Sequence, residues 1–312
     1  MIDLHLHLDG SMRPSTVREI LSEQGIVRWR NDAEARAALC APADCRSLND
    51  YLKCFGYPCQ ALRTSANIIR AVRELGEDLA EQDITYAEIR FAPLLLAEGG
   101  LSQEEAVEAA IEGARQAESE CVGLRLGVIL CCMRGAKHSA NLATVEAARR
   151  YLGEYVCALD LAGAEALYAT GLYEEELQLA RRYGIPFTVH AGEAAGPESI
   201  WRALELGASR IGHGVRCIED GALVDYLARY EIPLEVCPTS NMQTRVFGSG
   251  EEYPLKELLL NGVRATLNTD NMTVSSTNLF KEKEFVKTRF NITDKELELM
   301  EKYSAEAAFL KK

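Results

Sequence analysis

Short apolar runs alternate with longer amphipathic stretches along almost the whole chain. In the amphipathic stretches, such as SQEEAVEAAIEGARQAESE from Ser102, apolar residues recur three and four positions apart, which predicts helices. The apolar runs predict eight strands: IDLHL near residue 4, ITYAEIRF from Ile84, LRLGVILCC from Leu124, YVCALDLAG from Tyr155, IPFTVHAG from Ile185, SRIGHG from Ser209, IPLEVCPTS from Ile232 and VRATLNTD from Val263. Strands that alternate with helices in this way are typical of βα units and a parallel sheet.

Eight strands in a βα series predict a closed barrel rather than an open, doubly wound sheet. No glycine-rich phosphate loop follows the first strand, which argues against a dinucleotide-binding fold. We therefore predict an α/β fold, a single (β/α)8 barrel of the TIM type that forms one domain over residues 1–312. Residues 11–83 contain several helical segments before the second strand, so we expect a helical insertion there that roofs the active-site face of the barrel.

Composition narrows the class of ligand. The chain has 312 residues, and 34 basic against 47 acidic residues leave a net charge of −13. An acidic surface disfavours nucleic acid and anionic membranes, so we expect a small-molecule substrate.

No apolar run approaches the ~20 residues of a transmembrane helix, and we expect no secretory signal at the start of the chain. Because the ten cysteines are scattered, we expect free thiols in a reducing cytoplasm.

Four of the five histidines follow the predicted strand ends. His5 and His7 lie two apart in the first strand, so both side chains point to one face. Taken alone, this pair is better explained as one core and one surface histidine. However, His190 ends the fifth strand, His213 ends the sixth, and Asp270 follows the eighth. Since all strand ends of a barrel converge on one mouth, we predict a site for a divalent ion such as Zn²⁺.

Two further residues near the strand ends, Glu193 and His138, need separate interpretations. Glu193 lies three residues after His190 and could transfer a proton beside the metal, or it could be an acid favoured at a helix N-terminus. Its position alone does not decide between these roles. His138 follows the third strand region, and we interpret it as a solvated loop histidine.

The motifs HLHLDGS, DLAG, TVHAGE, IGHG, CPTSN and LNTDN occur in this order between residues 5 and 271. Together they resemble the adenosine deaminase family of metal-dependent amidohydrolases, and the resemblance covers nearly the whole chain. It implies a zinc-dependent hydrolysis of the 6-amino group of adenosine, and of 2′-deoxyadenosine, to the 6-oxo nucleoside and ammonia. The chain ends soon after AEAAFL, earlier than the resemblance leads us to expect, so we expect a short C-terminal helix to be missing.

The resemblance also implies roles for individual residues around the metal. One Zn²⁺ per chain would be held by His5, His7, His190 and Asp270. Glu193 would protonate purine N1. His213 and Asp270 would orient and deprotonate the attacking water.

Other residues would bind the substrate. The backbone of Gly163 would contact purine N3, and Asp9 would accept a hydrogen bond from the ribose 5′-hydroxyl. Asn271 departs from the second acid that many members carry, so we interpret it as a donor to purine N7, with helix capping of the following segment as the alternative. Three apolar positions would cover the ligand, although ordinary helix packing explains them equally well: Leu48, Tyr51 and Leu52.

Three alternative functions stay open at this point. The same chemistry could act on adenine or another aminopurine. The barrel could be a non-catalytic binding protein, although the presence of every expected ligand together with Glu193 argues against lost activity. A metal-dependent hydrolase for another C–N or P–O bond is the third alternative. The sequence makes no prediction about the oligomeric state.

Overall fold

Eight parallel strands form the centre of the structure, a computed structural model that describes residues 1–248 and 252–310. The strands are β1 (Ile2–His7), β2 (Tyr86–Phe91), β3 (Arg125–Met133), β4 (Val156–Ala162), β5 (Thr188–Ala191), β6 (Arg210–His213), β7 (Leu234–Val236) and β8 (Ala265–Leu267). All eight coincide with the apolar runs of the sequence. Neighbours along the chain are neighbours in space, in the order β1-β2-β3-β4 and β5-β6-β7-β8.

Short contacts at two seams close these strands into a barrel. Leu159 in β4 donates its backbone N–H to Pro186 just before β5, at 3.0 Å. At the other seam, Asp270 donates to the carbonyl of His5 at 2.8 Å and accepts from the N–H of His7 at 2.7 Å. The predicted (β/α)8 barrel is therefore confirmed, and one seam is made by residues of the candidate metal site.

Helices surround the strands. Before β2 lie α1 (Pro14–Glu23), α2 (Asp32–Leu39), α3 (Leu48–Tyr51), α4 (Gly56–Ala61) and α5 (Ser65–Ala80). They are followed by α6 (Pro93–Leu96), α7 (Gln103–Glu120), α8 (His138–Tyr151), α9 (Glu174–Arg182), α10 (Pro197–Leu206), α11 (Gly221–Arg229), α12 (Pro238–Gln243), α13 (Leu255–Leu260), α14 (Leu279–Phe290) and α15 (Asp294–Ala307). Four 3₁₀ turns complete the described helical segments: Leu52–Phe55, Ala97–Gly99, Thr170–Tyr173 and Val215–Glu219.

The segment 11–83 contains two kinds of helix. The last of them, α5, packs closely along α7, where a Cβ added to Gly113 would lie 2.8 Å from the carbonyl oxygen of Ile69. Only a glycine permits this approach of the two backbones. We therefore assign α5 to the helices that surround the barrel, whereas α3 and the 3₁₀ turn after it line the active-site cavity. Part of the expected insertion is thus an ordinary barrel helix.

The barrel interior contains charged residues that the apolar strands had not led us to expect. Alternate side chains of a strand point to one face, and in β2 this places both Glu88 and Arg90 inside. Arg90 donates to Asp160 in β4 at 3.0 Å and to Glu235 in β7 at 2.9 Å. Arg210 in β6 donates to the other Glu235 oxygen at 2.7 Å. Each is fully or almost fully buried, so each charge needs its partners.

The C-terminal segment covers the N-terminal end of this barrel. Arg210 donates to the carbonyl of Ala307 at 2.9 Å, and its guanidinium lies 3.7 Å from the ring centroid of Phe309. The backbone N–H of Phe309 donates to Glu88 at 2.6 Å. Phe309 and Leu310 also pack on apolar residues of β3 and β4. This segment therefore shields the buried charges from water.

Two further observations concern the described chain as a whole. No helix in residues 1–248 or 252–310 is long and apolar enough to cross a membrane. All ten cysteines lie within these ranges, and no disulfide joins any two of them.

We predict that Phe309→Ala lowers the free energy of unfolding by about 2 kcal/mol, because it removes a half-buried ring and its cation–π contact with Arg210. The measurement is the midpoint of urea unfolding. Phe280→Ala is the matched control, because that ring is 46% exposed at the start of α14 and should cost less than about 0.5 kcal/mol. Equal losses in the two variants would contradict a sealing role for the C-terminal segment.

Candidate active site

Side chains from the C-terminal ends of four strands meet at the mouth of the barrel. His5 and His7 come from β1, His190 from β5 and His213 from the end of β6, while Asp270 follows β8. The Nε2 atoms of His7 and His190 lie 3.2 Å apart. Asp270 Oδ1 lies 3.5 Å from the Nε2 atoms of both His5 and His7. The structure thus brings together the histidines and the carboxylate that follow the strand ends in the sequence.

Two buried carboxylates orient the imidazole rings. His5 Nδ1 lies 2.7 Å from Glu235, and His190 Nδ1 lies 2.9 Å from Asp160. An ionised carboxylate only accepts hydrogen bonds, so Nδ1 carries the proton in both rings. The Nε2 lone pairs are then left for a metal ion, as is usual for histidine ligands in proteins.

The arrangement of these Nε2 atoms fits a bound metal ion. His5 Nε2 is buried and has no hydrogen-bond partner, and an orphaned buried nitrogen is costly. The ligand atoms of His5, His7, His190 and Asp270 all lie within 4.8 Å of one another. The imidazoles hold the pKa of Asp270 well below its usual range despite burial, so this carboxylate is ionised. These four residues form a candidate site for a divalent ion.

A second group of possible ligands in the same place combines His5, His213 and Asp270 with Cys237. Burial raises the pKa of Cys237 well above its usual range, which disfavours the thiolate that a metal ion would bind. The thiol donates to the Glu235 carbonyl at 3.4 Å. Because thiolates rather than thiols bind metals, the first group is the better candidate.

His213 differs from the other imidazoles because its Nδ1 faces an amide donor. Asn241 Nδ2 lies 3.0 Å from this Nδ1, while Asn241 Oδ1 is 2.8 Å from the hydroxyl of Tyr253. With the amide in this orientation, the proton of His213 lies on Nε2, which is 3.6 Å from Glu193. Burial lowers the pKa of His213 well below its usual range. His213 therefore presents a neutral N–H donor to the site.

Glu193 is buried beside the side chains of the candidate metal site. Its relative exposure is 4%, and Thr244 donates to one of its oxygens at 3.3 Å. Burial, together with the charge of Asp270, raises the pKa of Glu193 well above its usual range. The alternative role at a helix start is not supported, because α10 begins at Pro197 and its first-turn acid is Glu198. Glu193 thus lines the cavity, and its environment favours the protonated form of its carboxyl group.

A cavity of about 270 Å³ lies between these groups and the helices above the mouth. Its lining contains every residue that the resemblance assigned to substrate binding: Asp9, Leu48, Tyr51, Leu52, Gly163 and Asn271. A hydrogen bond of 2.6 Å between Tyr51 and Ser275 ties α3 to the loop after β8. Gly163 has φ +103°, a conformation that glycine adopts without strain. Leu48, Tyr51 and Leu52 line the cavity, and Leu48 and Tyr51 also pack in a small hydrophobic cluster with Val274.

Asp9 and Asn271 line the cavity, and each has hydrogen-bonding capacity that the protein does not use. Burial raises the pKa of Asp9 to about 6, and its partners are the N–H of Gly10 at 3.1 Å and the thiol of Cys59 at 3.6 Å. The Oδ1 atom of Asn271 is buried without a partner. A Cβ at Gly10 would overlap the Asn271 amide. Asn271 does not cap a helix, because the next helix, α14, is capped by Asn278.

His138 lies outside this site, as expected, but not in a loop. It is the first residue of α8, and its ring is mostly exposed. The Nδ1 atom lies 2.6 Å from the buried carboxylate of Glu176 in α9. The prediction that His138 lies in a loop is therefore wrong, because the residue begins α8 and its ring links that helix to α9.

The residues that sequence reasoning missed are those that act through other side chains. Asp160 lies in DLAG, Asn241 lies in CPTSN, and Glu235 lies between two apolar residues of β7. The sequence did contain a feature that points to the two acids, Asp160 and Glu235. A charged residue inside an otherwise apolar strand must have a buried partner. No comparable signal pointed to Asn241.

Comparisons with known proteins identify the family of the chain. The family model described as Adenosine deaminase matches residues 1–312. The chain belongs to the adenosine deaminase family. A relative named adenosine deaminase from Haemophilus ducreyi is 44% identical over 315 residues, covering 99% of this chain and 92% of the relative.

Solved structures with the same fold include other deaminases. An adenine deaminase from Arthrobacter aurescens superposes with a TM-score of 0.90 at 24% identity, covering 99% of this chain and 93% of that one. An N6-methyl-AMP deaminase from Arabidopsis thaliana has a TM-score of 0.85 at 26% identity, covering 99% and 92%. The fold of the family thus occurs with different purine substrates.

We predict that His190→Ala lowers the affinity for divalent metal more than 100-fold, since loss of an outer partner alone typically costs about 10–100-fold. Asp160 would still be paired with Arg90, so the fold should survive. Elemental analysis of the purified variants measures the effect. His138→Ala is the control and should keep the metal of the parent chain. Stoichiometric metal in His190→Ala would exclude the ligand set.

Proposed function

We propose that the chain hydrolyses the 6-amino group of adenosine, and of 2′-deoxyadenosine, to give the 6-oxo nucleoside and ammonia. The observation that carries this proposal is the buried carboxyl group of Glu193, which shares a cavity of about 270 Å³ with Asp270 and His213 and whose pKa is raised well above its usual range by burial. An acid that is neutral at pH 7 beside an ionised carboxylate suits the addition of water to a purine. Membership of the adenosine deaminase family supports the same reaction.

Zinc is the ion that we propose for the metal site. The ligands would be His5, His7, His190 and Asp270. Three imidazoles and one carboxylate suit a borderline divalent ion such as Zn²⁺. When bound, the ion supplies a water nucleophile that ionises near neutral pH. The orphaned Nε2 atom of His5 supports this assignment, because an ion gives it the partner that the protein does not.

Glu193 would donate a proton to purine N1. Addition of water oxygen to C6 breaks the conjugation of the ring and moves an electron pair onto N1. A neutral carboxyl group can protonate N1 as this charge develops. Burial, with the negative charge of Asp270, supports a neutral Glu193 at pH 7. After protonation, C6 is tetrahedral and can expel the amino group.

Asp270 and His213 would act on the attacking oxygen in different ways. Asp270 is ionised and can accept the proton that the water loses. His213 has its proton on Nε2 when Asn241 donates to Nδ1, so it can donate a hydrogen bond that stabilises the oxygen. The family resemblance assigns deprotonation to both residues, whereas this tautomer favours Asp270. The proton held by Asp270 is then available for the departing ammonia.

The remaining contacts would orient the nucleoside. The backbone of Gly163 would face N3, and the amide of Asn271, which donates at any pH, would face N7. Asp9 would accept a hydrogen bond from the ribose 5′-hydroxyl. The apolar roof over the ligand would be formed by Leu48, Tyr51 and Leu52.

Charge in the cavity supports a nucleoside over a free base or a nucleotide. A buried carboxylate at Asp9 is costly unless a substrate hydroxyl joins it, which favours a ribose. A 5′-phosphate would need a cation, and Arg134 is the only lysine or arginine among the described lining residues. Its guanidinium already donates to the carbonyls of Tyr168 and His190 at 2.6 and 2.7 Å.

We also propose that the protein works in the cytoplasm on this small-molecule substrate. Ten cysteines without a disulfide in the described chain suit a reducing compartment.

The proposed substrate is tested by a side-by-side assay of adenosine and adenine with the metal-loaded protein. We predict that adenosine is the better substrate and that Asp9→Ala lowers its kcat/KM about 10–100-fold, the usual effect of losing a hydrogen bond to a charged group. The rate with adenine should change little. Asp44→Ala, an exposed acid before α3, is the control. Faster turnover of adenine by the parent protein would reject the nucleoside assignment.

The acid role is tested by Glu193→Gln, which keeps the shape of the side chain but cannot donate an acidic proton. We predict a loss in kcat of about 10²–10⁴-fold with the metal retained, because general acid catalysis contributes that much. Glu198→Gln changes the true first-turn acid of α10 and should keep near-normal activity. Normal turnover in the Glu193 variant would mean that N1 receives its proton from another group.

A further inference from the structure

One buried carboxylate holds a whole turn of the active site. Glu165 lies two residues after Gly163, in the loop that follows β4, and it is 2% exposed. Its two oxygens accept hydrogen bonds from four successive backbone N–H groups. The donors are Gly192 at 2.8 Å, Glu193 at 3.1 Å, Ala194 at 2.7 Å and Ala195 at 2.9 Å.

The turn formed by residues 192–195 needs such an acceptor. It connects β5 to α10 and belongs to neither a strand nor a helix, so its N–H groups have no ladder or helix to join. Gly192, at φ +73°, reverses the chain there. Buried or half-buried amides without partners would cost free energy, and a carboxylate has enough lone pairs to satisfy several donors. The conformation of the turn therefore depends on one side chain from a different βα unit.

The surroundings of Glu165 keep it in this structural role. The ionisable groups that interact with it are two arginines, Arg134 and Arg216, and the carboxyl group of Glu193, whose pKa the charge of Glu165 helps to raise. Arg134 also fixes the start of the turn, because it donates to the carbonyl of His190 at 2.7 Å. Glu165 is not among the residues that line the cavity, and both its oxygens are engaged by the turn. Glu165 would therefore not contact a substrate bound in this cavity.

We infer that Glu165 is a positioning residue that sets the distance between the two contacts on the pyrimidine edge of the purine. Its loop carries Gly163, which would face N3, and its carboxylate holds the turn that carries Glu193, which would protonate N1. The inference rests on the proposed function, since it assigns both contacts to one purine. A shift of about 1 Å in a reacting group can cost 100-fold in rate. A rigid link between the two loops therefore has a catalytic consequence.

The test is Glu165→Gln, which keeps the size of the side chain but replaces one accepting oxygen by an NH₂ group. We expect kcat for adenosine to fall about 100-fold, whereas KM changes less than about threefold, because Asp9 and the apolar roof are untouched. Hydrogen exchange should show faster exchange of the amides of residues 192–195. The control is Glu176→Gln, which changes a buried glutamate on α9 outside the cavity. It should change neither kcat nor the exchange of the 192–195 amides.

Glu165→Asp keeps the charge but shortens the side chain, and it serves if the Gln variant does not fold. A smaller loss of kcat with an unchanged KM supports the inference. An unchanged kcat in a folded Gln variant overturns it and leaves the proposed function intact. If the parent chain does not deaminate adenosine, the proposed function fails, and exchange of the 192–195 amides still decides whether Glu165 anchors the turn. Parent-like exchange in the Gln variant overturns the anchoring.

Discussion

The guanidinium of Arg90 pairs with the two carboxylates that orient the histidines of the candidate metal site. It lies fully buried between Asp160 and Glu235, at 3.0 and 2.9 Å. Each of these carboxylates also binds the Nδ1 atom of a histidine, His190 or His5. Without Arg90, two negative charges would lie unpaired in the barrel, at a cost of several kcal/mol. The directions of the Nε2 lone pairs therefore depend on a charge network below the metal site.

The same network extends to the far end of the barrel. Arg210 shares Glu235 with Arg90, and the segment around Phe309 covers Arg210 from outside. The arginines are planar donors with several N–H groups, so each can satisfy two partners at once. The active-site mouth and the C-terminal segment are thus coupled through charges that cannot be rearranged singly. Paired charges thus occupy positions in the barrel interior that branched aliphatic side chains fill in most barrels of this type.

Two carboxyl groups in one cavity have pKa values that are shifted in opposite directions. Burial and a like charge raise the pKa of Glu193, whereas the surrounding imidazoles lower the pKa of Asp270. In the proposed reaction, this separation would distinguish an acid from a base within a single site. The environment of His213 favours a neutral donor in a similar way. Asn241 engages its Nδ1 atom, and burial disfavours its charged form. The chemistry follows from these environments more than from the residue types.

The sequence by itself determined the order of the eight strands and the residues that reach the barrel mouth. Both follow from local properties, because apolar runs fold as strands and all strand ends of a barrel lie together. The sequence could not show that α5 belongs to the helices around the barrel rather than to the insertion over its mouth. It also did not show that His138 begins a helix. Both features depend on packing between distant helices. Only the tertiary structure decided the partners Glu235, Asp160 and Asn241. Hydrogen bonds between residues 28 to 230 positions apart leave no periodic pattern, so the tautomers and pKa values that they set become visible only once the barrel has closed.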